Sequence, residues 1–196
     1  MKKTLLLILF VTGFCFGQTY DHIEFYDNGI SPKVIRTYKV SKGKIELFKK
    51  TEWYYDGQKA EEGTYKDGKE DGLWTYWHEN GQKHSEGSYK DGERDGLGTS
   101  WYENGQKREE RTYKDGEEDG LWTYWHKNGQ KAEEGTYKDG KEDGLKIRWH
   151  KNGQKKEEGT YKDGEEDGLW TYWHENGQKA EEETYKDGEL ISEKRY

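Results

Sequence analysis

Bulky and polar residues alternate in a phrase that recurs along the chain, first as GLWTYWHENGQK beginning at Gly72. Side chains of a strand alternate between its two faces, which places Leu73 and Trp77 on one face and Trp74 and Tyr76 on the other. The Asn-Gly that follows is typical of a two-residue hairpin loop. The phrase therefore predicts a β-hairpin.

Copies of this hairpin recur every 24 residues. The opening glycines are Gly72, Gly96, Gly120, Gly144 and Gly168. The turn dipeptides are Asn80-Gly81, Asn104-Gly105, Asn128-Gly129, Asn152-Gly153 and Asn176-Gly177, with Asp56-Gly57 as an earlier member. So regular a period indicates a repeat architecture in which each unit packs against its neighbours. We predict an all-β array of tandem hairpins, with KDGxxDG as the longer turn between them.

The loop position also predicts the register of the hairpin. The predicted pairs are Trp77 with His84, Trp74 with Gly87, and Gly72 with Tyr89. Each glycine then lies opposite a ring that can cover it. In the third copy Gly98 replaces the tryptophan, and its predicted partner is Arg111 where a glycine is expected. Large and small residues have exchanged sides, which supports the register.

The two faces of the predicted sheet differ in their periods. One tryptophan recurs in every unit, at Trp53, Trp77, Trp101, Trp125, Trp149 and Trp173, and this row is interpreted as the structural ladder. The other face alternates with a period of 48 residues, and its aromatic pairs are Trp74/Tyr76, Trp122/Tyr124 and Trp170/Tyr172. Successive pairs would lie roughly 19 Å apart. We take these six residues as the candidate partner-binding site.

Composition bears on the class of partner. The chain is 29% hydrophobic and 38% charged with a mean hydropathy of -1.46, but 15% of its residues are aromatic, so rings rather than aliphatic side chains supply the buried surface. The formal net charge of -8 opposes binding to nucleic-acid phosphates. Nucleic acid is therefore excluded as a partner.

The first seventeen residues are typical of a secretory signal peptide. Lys2 and Lys3 precede an apolar run too short to span a bilayer, and the small residue Gly17 marks the predicted cleavage site. A lipoprotein anchored through Cys15 is an alternative. The prediction is an exported chain, destined for the periplasm, the outer membrane or the medium, whose predicted regions are the signal peptide (1–17), a degenerate first repeat with a basic cap (18–50), and the repeat array (51–196).

The region before the array carries a cluster of cations. The basic cap consists of Lys33, Arg36, Lys39, Lys42, Lys44, Lys49 and Lys50. A repeat array needs an atypical terminal unit, which is the main interpretation. The alternative is a cationic patch that docks on anionic lipid or an acidic partner.

Histidines and carboxylates recur along the repeats and are the candidate metal-binding and catalytic groups. His78, His126, His150 and His174 share one repeat position, but copies about 9.6 Å apart cannot ligate one ion. The acidic turns lack the alternating ligands of a calcium loop. We therefore predict no catalytic residues, no metal and no cofactor, and no enzymatic activity.

The phrase EEGTYKDGKEDGLWTYWHENGQK resembles the MORN repeat, whose pattern of aromatic residue, glycine, glycine and aromatic strand is met by Tyr65, Gly68, Gly72 and Trp74. Its NGQK ending is similar to the bacterial variant found in YwqK-type antitoxins of toxin–antitoxin systems. The resemblance covers about residues 51–196. It implies an elongated, twisted, single-layer antiparallel sheet that serves as a protein-interaction or membrane-lipid-binding module.

The leading functional hypothesis is an exported scaffold that binds a protein, such as a toxin that it neutralises. A module that binds envelope lipid or glycan is the second hypothesis, and a purely structural repeat is the third. The last segment, ELISEKRY from Glu189 to Tyr196, supplies a partial strand, so self-association through this C-terminal edge strand is a further expectation.

Overall fold

A computed structural model describes residues 4–7 and 18–196. Regular structure in these residues is all β-strand, and the chain divides into two compact units, residues 1–95 and 96–196. Nothing helical in the described part meets the length and hydropathy needed to cross a membrane. The signal-peptide residues Lys2, Lys3, Cys15 and Gly17 lie outside the described residues.

In the first unit successive strands pair antiparallel, and β5 pairs with both β6 and β7. Its strands are β1 (Thr4–Leu7), β2 (Thr19–Phe25), β3 (Pro32–Ser41), β4 (Lys44–Trp53), β5 (Lys59–Lys66), β6 (Lys69–Glu70), β7 (Gly72–Trp77) and β8 (Lys83–Lys90). The predicted boundary between cap and array, at residues 50 and 51, falls inside β4.

The second unit repeats the same antiparallel order. Its strands are β9 (Glu93–Trp101), most of which lies in this unit, β10 (Lys107–Lys114), β11 (Glu117–Trp125), β12 (Lys131–Lys138), β13 (Lys141–Glu142), β14 (Gly144–Trp149), β15 (Lys155–Lys162), β16 (Glu165–Glu166), β17 (Gly168–Trp173), β18 (Lys179–Lys186) and β19 (Glu189–Arg195). The predicted fold class, an antiparallel sheet of tandem 24-residue hairpin repeats, is confirmed.

The tight two-residue turn is not the one predicted. Lys66 pairs with Lys69, so Asp67 and Gly68 alone form the loop, with φ angles of 51° and 80°. Two positive φ angles are the mark of a type I′ turn. The same pair of positive angles recurs in each KDG segment. The KDG segments therefore form the tight hairpin turns that the sequence analysis assigned to Asn-Gly.

The Asn-Gly turn is a three-residue loop. Gly81 N–H donates to His78 O at 2.9 Å, His78 N–H donates to Gln82 O at 2.8 Å, and only Gly81 has a positive φ. The Asn80 carboxamide oxygen instead accepts from the Gln82 amide at 3.0 Å. This is the type I turn with a glycine bulge that makes three-residue hairpins. The extra loop residue changes the pairing next to the turn.

The predicted register is correct beyond the turn and wrong beside it. Gly72 pairs with Tyr89 and Trp74 with Gly87, as predicted. Trp77 pairs with Lys83 rather than His84, because the register shifts between Tyr76 and Trp77. The predicted partnership of Gly98 with Arg111 is confirmed.

A second irregularity interrupts the strand between the KDG turn and the aromatic residues. Asp71 N–H donates to Thr64 O at 3.0 Å, the Thr64 hydroxyl donates back to Asp71 O, and Gly72 has a φ of 93°. Gly144 and Gly168 repeat this conformation, with φ of 106° and 88°. It is a β-bulge whose glycine takes an angle unfavourable for other residues. We call this feature the Asp-Gly bulge.

Successive Asn-Gly hairpins are joined by side-chain hydrogen bonds. The Tyr54 hydroxyl donates to Trp77 O at 2.7 Å, and Tyr102 makes the same bond to Trp125 O. His150 occupies the equivalent position, and its Nε2 lies 2.9 Å from the Trp173 carbonyl oxygen. This position of the repeat therefore links neighbouring units through tyrosine or histidine.

Candidate functional site

The sheet has two faces, which we name by their residues. The tryptophan face carries Trp74 and Tyr76 and their repeat equivalents, and the leucine face carries Leu73, Thr75 and Trp77 and theirs. The rings predicted to bind a partner lie in the core: Trp74 and Trp170 are 1% exposed, and Trp122 is 4% exposed. The expectation that these rings present an open surface is therefore wrong. Their tyrosine neighbours Tyr76, Tyr124 and Tyr172 are partly buried.

Each buried tryptophan lies over a glycine on an adjacent strand. Trp74 packs against the backbone of Gly63, and Trp170 against Gly159, so closely that a Cβ atom at either glycine would overlap the ring. Trp122 lies over Gly135 instead, where a Cβ would come within 3.0 Å of the ring. A ring can lie flat on a sheet only where the neighbouring position lacks a side chain.

The side toward which each ring leans follows from its flanking residues. Trp122 pairs with Arg111 on one strand and Gly135 on the other, and it covers the glycine. Trp170 pairs with Glu183 on one side and covers Gly159 on the other. Glu183 stands where the hairpin pattern has a glycine opposite the tryptophan. Gly159 on the other neighbouring strand compensates for it, because one glycine is enough.

The 48-residue period also has a packing cause. The rows between the aromatic pairs hold cations that bridge glutamates on the tryptophan face. Lys146 Nζ lies 2.7 Å from Glu142, 3.3 Å from Glu133 and 5.6 Å from the Trp122 ring centre. Lys50, before the first aromatic pair, bridges Glu52 and Glu61, and Arg111, between the first two pairs, bridges Glu109 and Glu118. Buried rings therefore alternate with ion-paired cations along the repeats.

Electrostatics on this face reflect that packing. Burial would lower the pKa of Lys146, but the hydrogen bond and charge of Glu142 outweigh burial and raise that pKa. Burial raises the pKa of Tyr76 and of Tyr172. A hydrogen bond from Tyr185 to Glu183, at 2.8 Å, together with burial raises the pKa of Tyr185 to about 12. The fold therefore keeps Lys146 charged and ion-paired, and it keeps the three tyrosines neutral.

The leucine face is exposed at its leucines, whereas the next position on the same face, as at Thr75 and Thr123, is buried. Its leucines are about half exposed: Leu73 55%, Leu97 54%, Leu121 56%, Leu145 49% and Leu169 55%. They alternate across the strands with hydroxyl residues, as in Leu121 beside Thr136 and Leu145 beside Thr160. An apolar side chain exposed once is ordinary, but one exposed at the same position of successive repeats is a surface feature. We call the four exposed leucines of the second unit, Leu97, Leu121, Leu145 and Leu169, the leucine row.

A second row on this face is closed by lysines. Lys131 Nζ forms an ion pair with Glu134 and lies 5.7 Å from the Trp149 ring centre. Lys155 repeats the arrangement with Glu158 and, at 5.8 Å, Trp173. Glu134 and Glu158 belong to a row of glutamates that recurs every 24 residues, and they are the partners of these lysines. The row interpreted as a ladder is partly covered, and the leucine row is left open.

The basic cap is partly neutralised. Three cations of the cap form ion pairs with glutamates. The pairs are Arg36 with Glu24, Lys49 with Glu62 at 2.9 Å, and Lys50 with Glu52 at 2.8 Å and Glu61 at 3.2 Å. Lys33 lies over the Tyr26 ring and Lys39 over the Phe48 ring, each with 5.8 Å from Nζ to the ring centre. Lys42 and Lys44 flank the β3–β4 turn. The charge available for docking is therefore smaller than the sequence suggested.

The last strand is out of phase with the repeat. Glu157 pairs with Tyr172, so one repeat later Glu181 should pair with Tyr196, but it pairs with Arg195. Ser192 stands where Gly168 makes the Asp-Gly bulge, and its φ is not positive. The one-residue slip reverses the faces of the side chains that follow. It places Glu193 with Glu181 and Glu183, whose carboxylate oxygens lie within 4.8 Å of one another and close to Arg195.

The exposure of the leucines and the burial of the tryptophans were not predicted from the sequence, although a glycine was already placed opposite Trp74. The leucine face was interpreted as structural and the tryptophan face as the binding surface. The signal that distinguishes them is Gly63 and its equivalents, because a recurring glycine within a strand marks the place where a ring from the next strand lies. Leu73 has no such glycine beside it and is exposed.

Comparison with known families agrees with this architecture. The family described as MORN repeat variant matches residues 70–91, 94–115, 118–139, 142–163 and 166–187, which is more than half of the chain. The chain belongs to the MORN repeat variant family. Each matched MORN segment starts just before the Asp-Gly bulge and ends at a KDG turn, so it contains one Asn-Gly hairpin. No curated protein matches the chain.

Proposed function

We propose that this chain is a non-enzymatic MORN-repeat scaffold that binds a protein partner through the leucine row. The observation that carries the proposal is the exposure of leucine, between 49% and 56%, at the same position of four successive repeats of the second unit. Burying apolar surface contributes roughly 25 cal/mol per Å², so a partner that covers the row gains from every repeat it spans. Tyr76 and its equivalents lie on the tryptophan face, on the other side of the sheet, and are not needed for this contact.

The partner that we favour is a toxin or other effector that the scaffold neutralises, since the NGQK ending resembles YwqK-type antitoxins. The predicted signal peptide would place the encounter in the envelope or the medium. Mass spectrometry of the chain purified from its producing cell tests this part. A mature terminus near Gln18 supports export, and a retained Met1 in the cytoplasm contradicts it.

Lipid or glycan binding is the second proposal. Two exposed apolar side chains near lysines support it: Ile45, next to Lys44, is 63% exposed, and Phe48, whose ring lies under Lys39, is 42% exposed. Docking that depends on Lys42 and Lys44 would weaken steeply as ionic strength rises. Contact through the leucine row would not.

The experiment is a capture from envelope and medium with residues 18–196, comparing the wild type with Leu121→Ser/Leu145→Ser/Leu169→Ser. The matched control is Lys127→Ser/Lys151→Ser, which alters exposed loop residues of the same unit. A stoichiometric protein retained by the control and lost by the leucine variant supports the proposal. Equal capture by all three chains contradicts it, and lipid released by salt favours the second proposal.

A further inference from the structure

Six Asn-Gly pairs occur in the chain, five of them in the three-residue loops of the repeat array and one at Asn28. Asparagine is a chemically labile residue, and a glycine after it leaves the backbone nitrogen unhindered. That nitrogen can attack the asparagine Cγ atom: a C–N bond forms, the side-chain nitrogen leaves as ammonia, and water opens the new ring to aspartate or isoaspartate. The outcome is deamidation, and the fold decides which pair reacts first.

The backbone of each array loop holds the two reacting groups back. In the loop of Asn176, Gly177 N–H donates to His174 O at 2.9 Å, and Asn176 Oδ1 accepts from Gln178 N–H at 3.0 Å. The same two bonds recur in the loops of Asn80, Asn104, Asn128 and Asn152. The glycine nitrogen must leave its acceptor and lose its proton before it attacks, so the reaction requires local opening of the loop. Any further bond that keeps a loop closed therefore slows deamidation.

Three of the asparagines make such a further bond themselves. Their carboxamide nitrogens donate to backbone carbonyls 23 residues on, in the loop of the next repeat: Asn104 Nδ2 to Lys127 O at 3.1 Å, Asn128 Nδ2 to Lys151 O at 3.3 Å, and Asn152 Nδ2 to Glu175 O at 2.7 Å. We call these contacts the inter-loop bonds. Each one holds the nitrogen that deamidation must expel, and it fixes the loop at the same time.

The loop of Asn176 has fewer of these links. Asn176 Nδ2 donates to Gln178 Oε1 in its own loop, at 3.2 Å, and makes no inter-loop bond within residues 4–7 and 18–196. The position two residues before it differs as well. Tyr102 and His150 are partly buried there and bond a carbonyl oxygen of the next repeat, whereas His174 is exposed and makes no such bond to the described residues.

Asn28 stands outside the array and is held in other ways. Its Oδ1 accepts from the amides of Ile30 and Ser31, each at 3.0 Å, and its Nδ2 donates to the Ser31 hydroxyl at 3.0 Å. The neighbouring Tyr26 hydroxyl donates to Trp53 O at 2.6 Å, which is the link that His174 lacks. The loop of Asn28 is therefore closed by more bonds than that of Asn176.

We propose that Asn176 is the deamidation site of this chain and is modified ahead of the other Asn-Gly pairs. Its loop keeps the common backbone bonds and lacks the links to a following loop. One hydrogen bond of ordinary strength changes an equilibrium by a few-fold, so we expect reaction about three- to ten-fold faster than at Asn152. Either product adds a negative charge beside Glu175, and isoaspartate also lengthens the loop by one backbone atom. The site is separate from the leucine row.

The repeats supply controls for the effect of neighbouring residues. Asn80 and Asn176 lie in the same hexapeptide, HENGQK, and Asn128 and Asn152 share HKNGQK. Pairs in identical sequences have the same intrinsic rate, so a difference between Asn80 and Asn176 in the folded chain arises from structure. His78 is partly buried where His174 is exposed, and we therefore expect slower reaction at Asn80.

The test is incubation of the full folded chain at mildly alkaline pH, followed by digestion before aspartate residues. That digestion releases each loop in a peptide of distinct sequence, and mass spectrometry then gives the rate at each asparagine. The capped peptides HENGQK, YENGQK, HKNGQK and YDNGIS give the intrinsic rates. The matched variant is Glu175→Lys, which places Asn176 in the sequence HKNGQK and leaves the backbone carbonyl of residue 175 in place.

Relative to its peptide, Asn176 should react about three- to ten-fold faster than Asn104, Asn128 and Asn152, in the wild type and in the variant alike. In denaturing urea, sites that share a hexapeptide should react at equal rates. Equal relative rates in the folded chain, an earlier reaction at another asparagine, or no reaction at Asn176 while its peptide reacts would each overturn the proposal. So would a lead that persists in urea or disappears in Glu175→Lys, because sequence rather than the missing bonds would then cause it.

Discussion

The contact between Trp170 and Gly159 predicts a large and unusual effect of adding one methyl group. Gly159→Ala places a Cβ inside the Trp170 ring, so the ring must leave its position in the core. Gly159 has no positive φ, so the alanine meets no backbone penalty. The predicted loss of stability therefore arises from steric overlap with one side chain.

The magnitude can be bounded from burial. A tryptophan buries roughly 150–250 Å², worth about 4–6 kcal/mol if fully exposed. Overpacking that is relieved by partial movement costs about 1–3 kcal/mol, and alanine in a strand recovers about 0.5–1 kcal/mol relative to glycine. Trp170 is 1% exposed, so complete displacement of the ring would expose nearly all of this area. We expect Gly159→Ala to destabilise the sheet by about 2–4 kcal/mol.

Gly135→Ala is the matched control. Its Cβ would lie 3.0 Å from Trp122, a distance that a shift of a few tenths of an ångström relieves, so we expect a change of about 0.5 kcal/mol or less. Urea unfolding followed by tryptophan fluorescence measures both variants. The cost of Gly159→Ala should shrink in a Trp170→Leu background. If Gly159→Ala is no more destabilising than Gly135→Ala, the rings do not lie on the glycines as described.

Three further outcomes are expected. Gly144→Ala forces a side chain onto a φ of 106° and should cost about 1–3 kcal/mol in urea unfolding; a neutral result would contradict the bulge. Tyr102→Phe removes the hydrogen bond to Trp125 O and should cost about 1 kcal/mol, measured in the same way, whereas no loss would mean that this link contributes nothing. The raised pKa values of Tyr76 and Tyr185 mean that the unfolded chain loses these protons first, so stability is intact below pH of about 10 and falls as pH rises above it. Absorbance at 295 nm and circular dichroism should therefore change together, and tyrosine ionisation that is complete before unfolding would contradict this.

The architecture was predictable because period and turn chemistry act locally. The 24-residue repeat and the pairs formed by Trp74 and Gly72 follow from sequence alone. The assignment of turns was less secure, since Asn-Gly and Asp-Gly both accept positive φ angles. Asn80 is drawn into a side-chain hydrogen bond with Gln82 and keeps a negative φ, a choice that the dipeptide itself does not reveal.

The exposed face could not be predicted from alternation. Alternation separates Leu73 from Trp74 but does not say which side has room for a ring. That depends on Gly63 and Gly87, which belong to neighbouring strands rather than to the same strand. The binding residues predicted from the sequence were chosen for size and period, two properties that also favour burial.

The ability of each tryptophan to lean toward either neighbour has a consequence for how the array changes over generations. Each tryptophan needs a glycine on only one of its two neighbouring strands. The residue opposite it on the other strand can therefore vary without loss of the core. Arg111 and Glu183 are outcomes of that freedom, each opposite a ring that leans the other way. Replacing the remaining glycine as well would displace the ring, and selection must oppose that second substitution. Duplicated units can thus diverge in charge, one flank at a time, while the sheet they share is preserved.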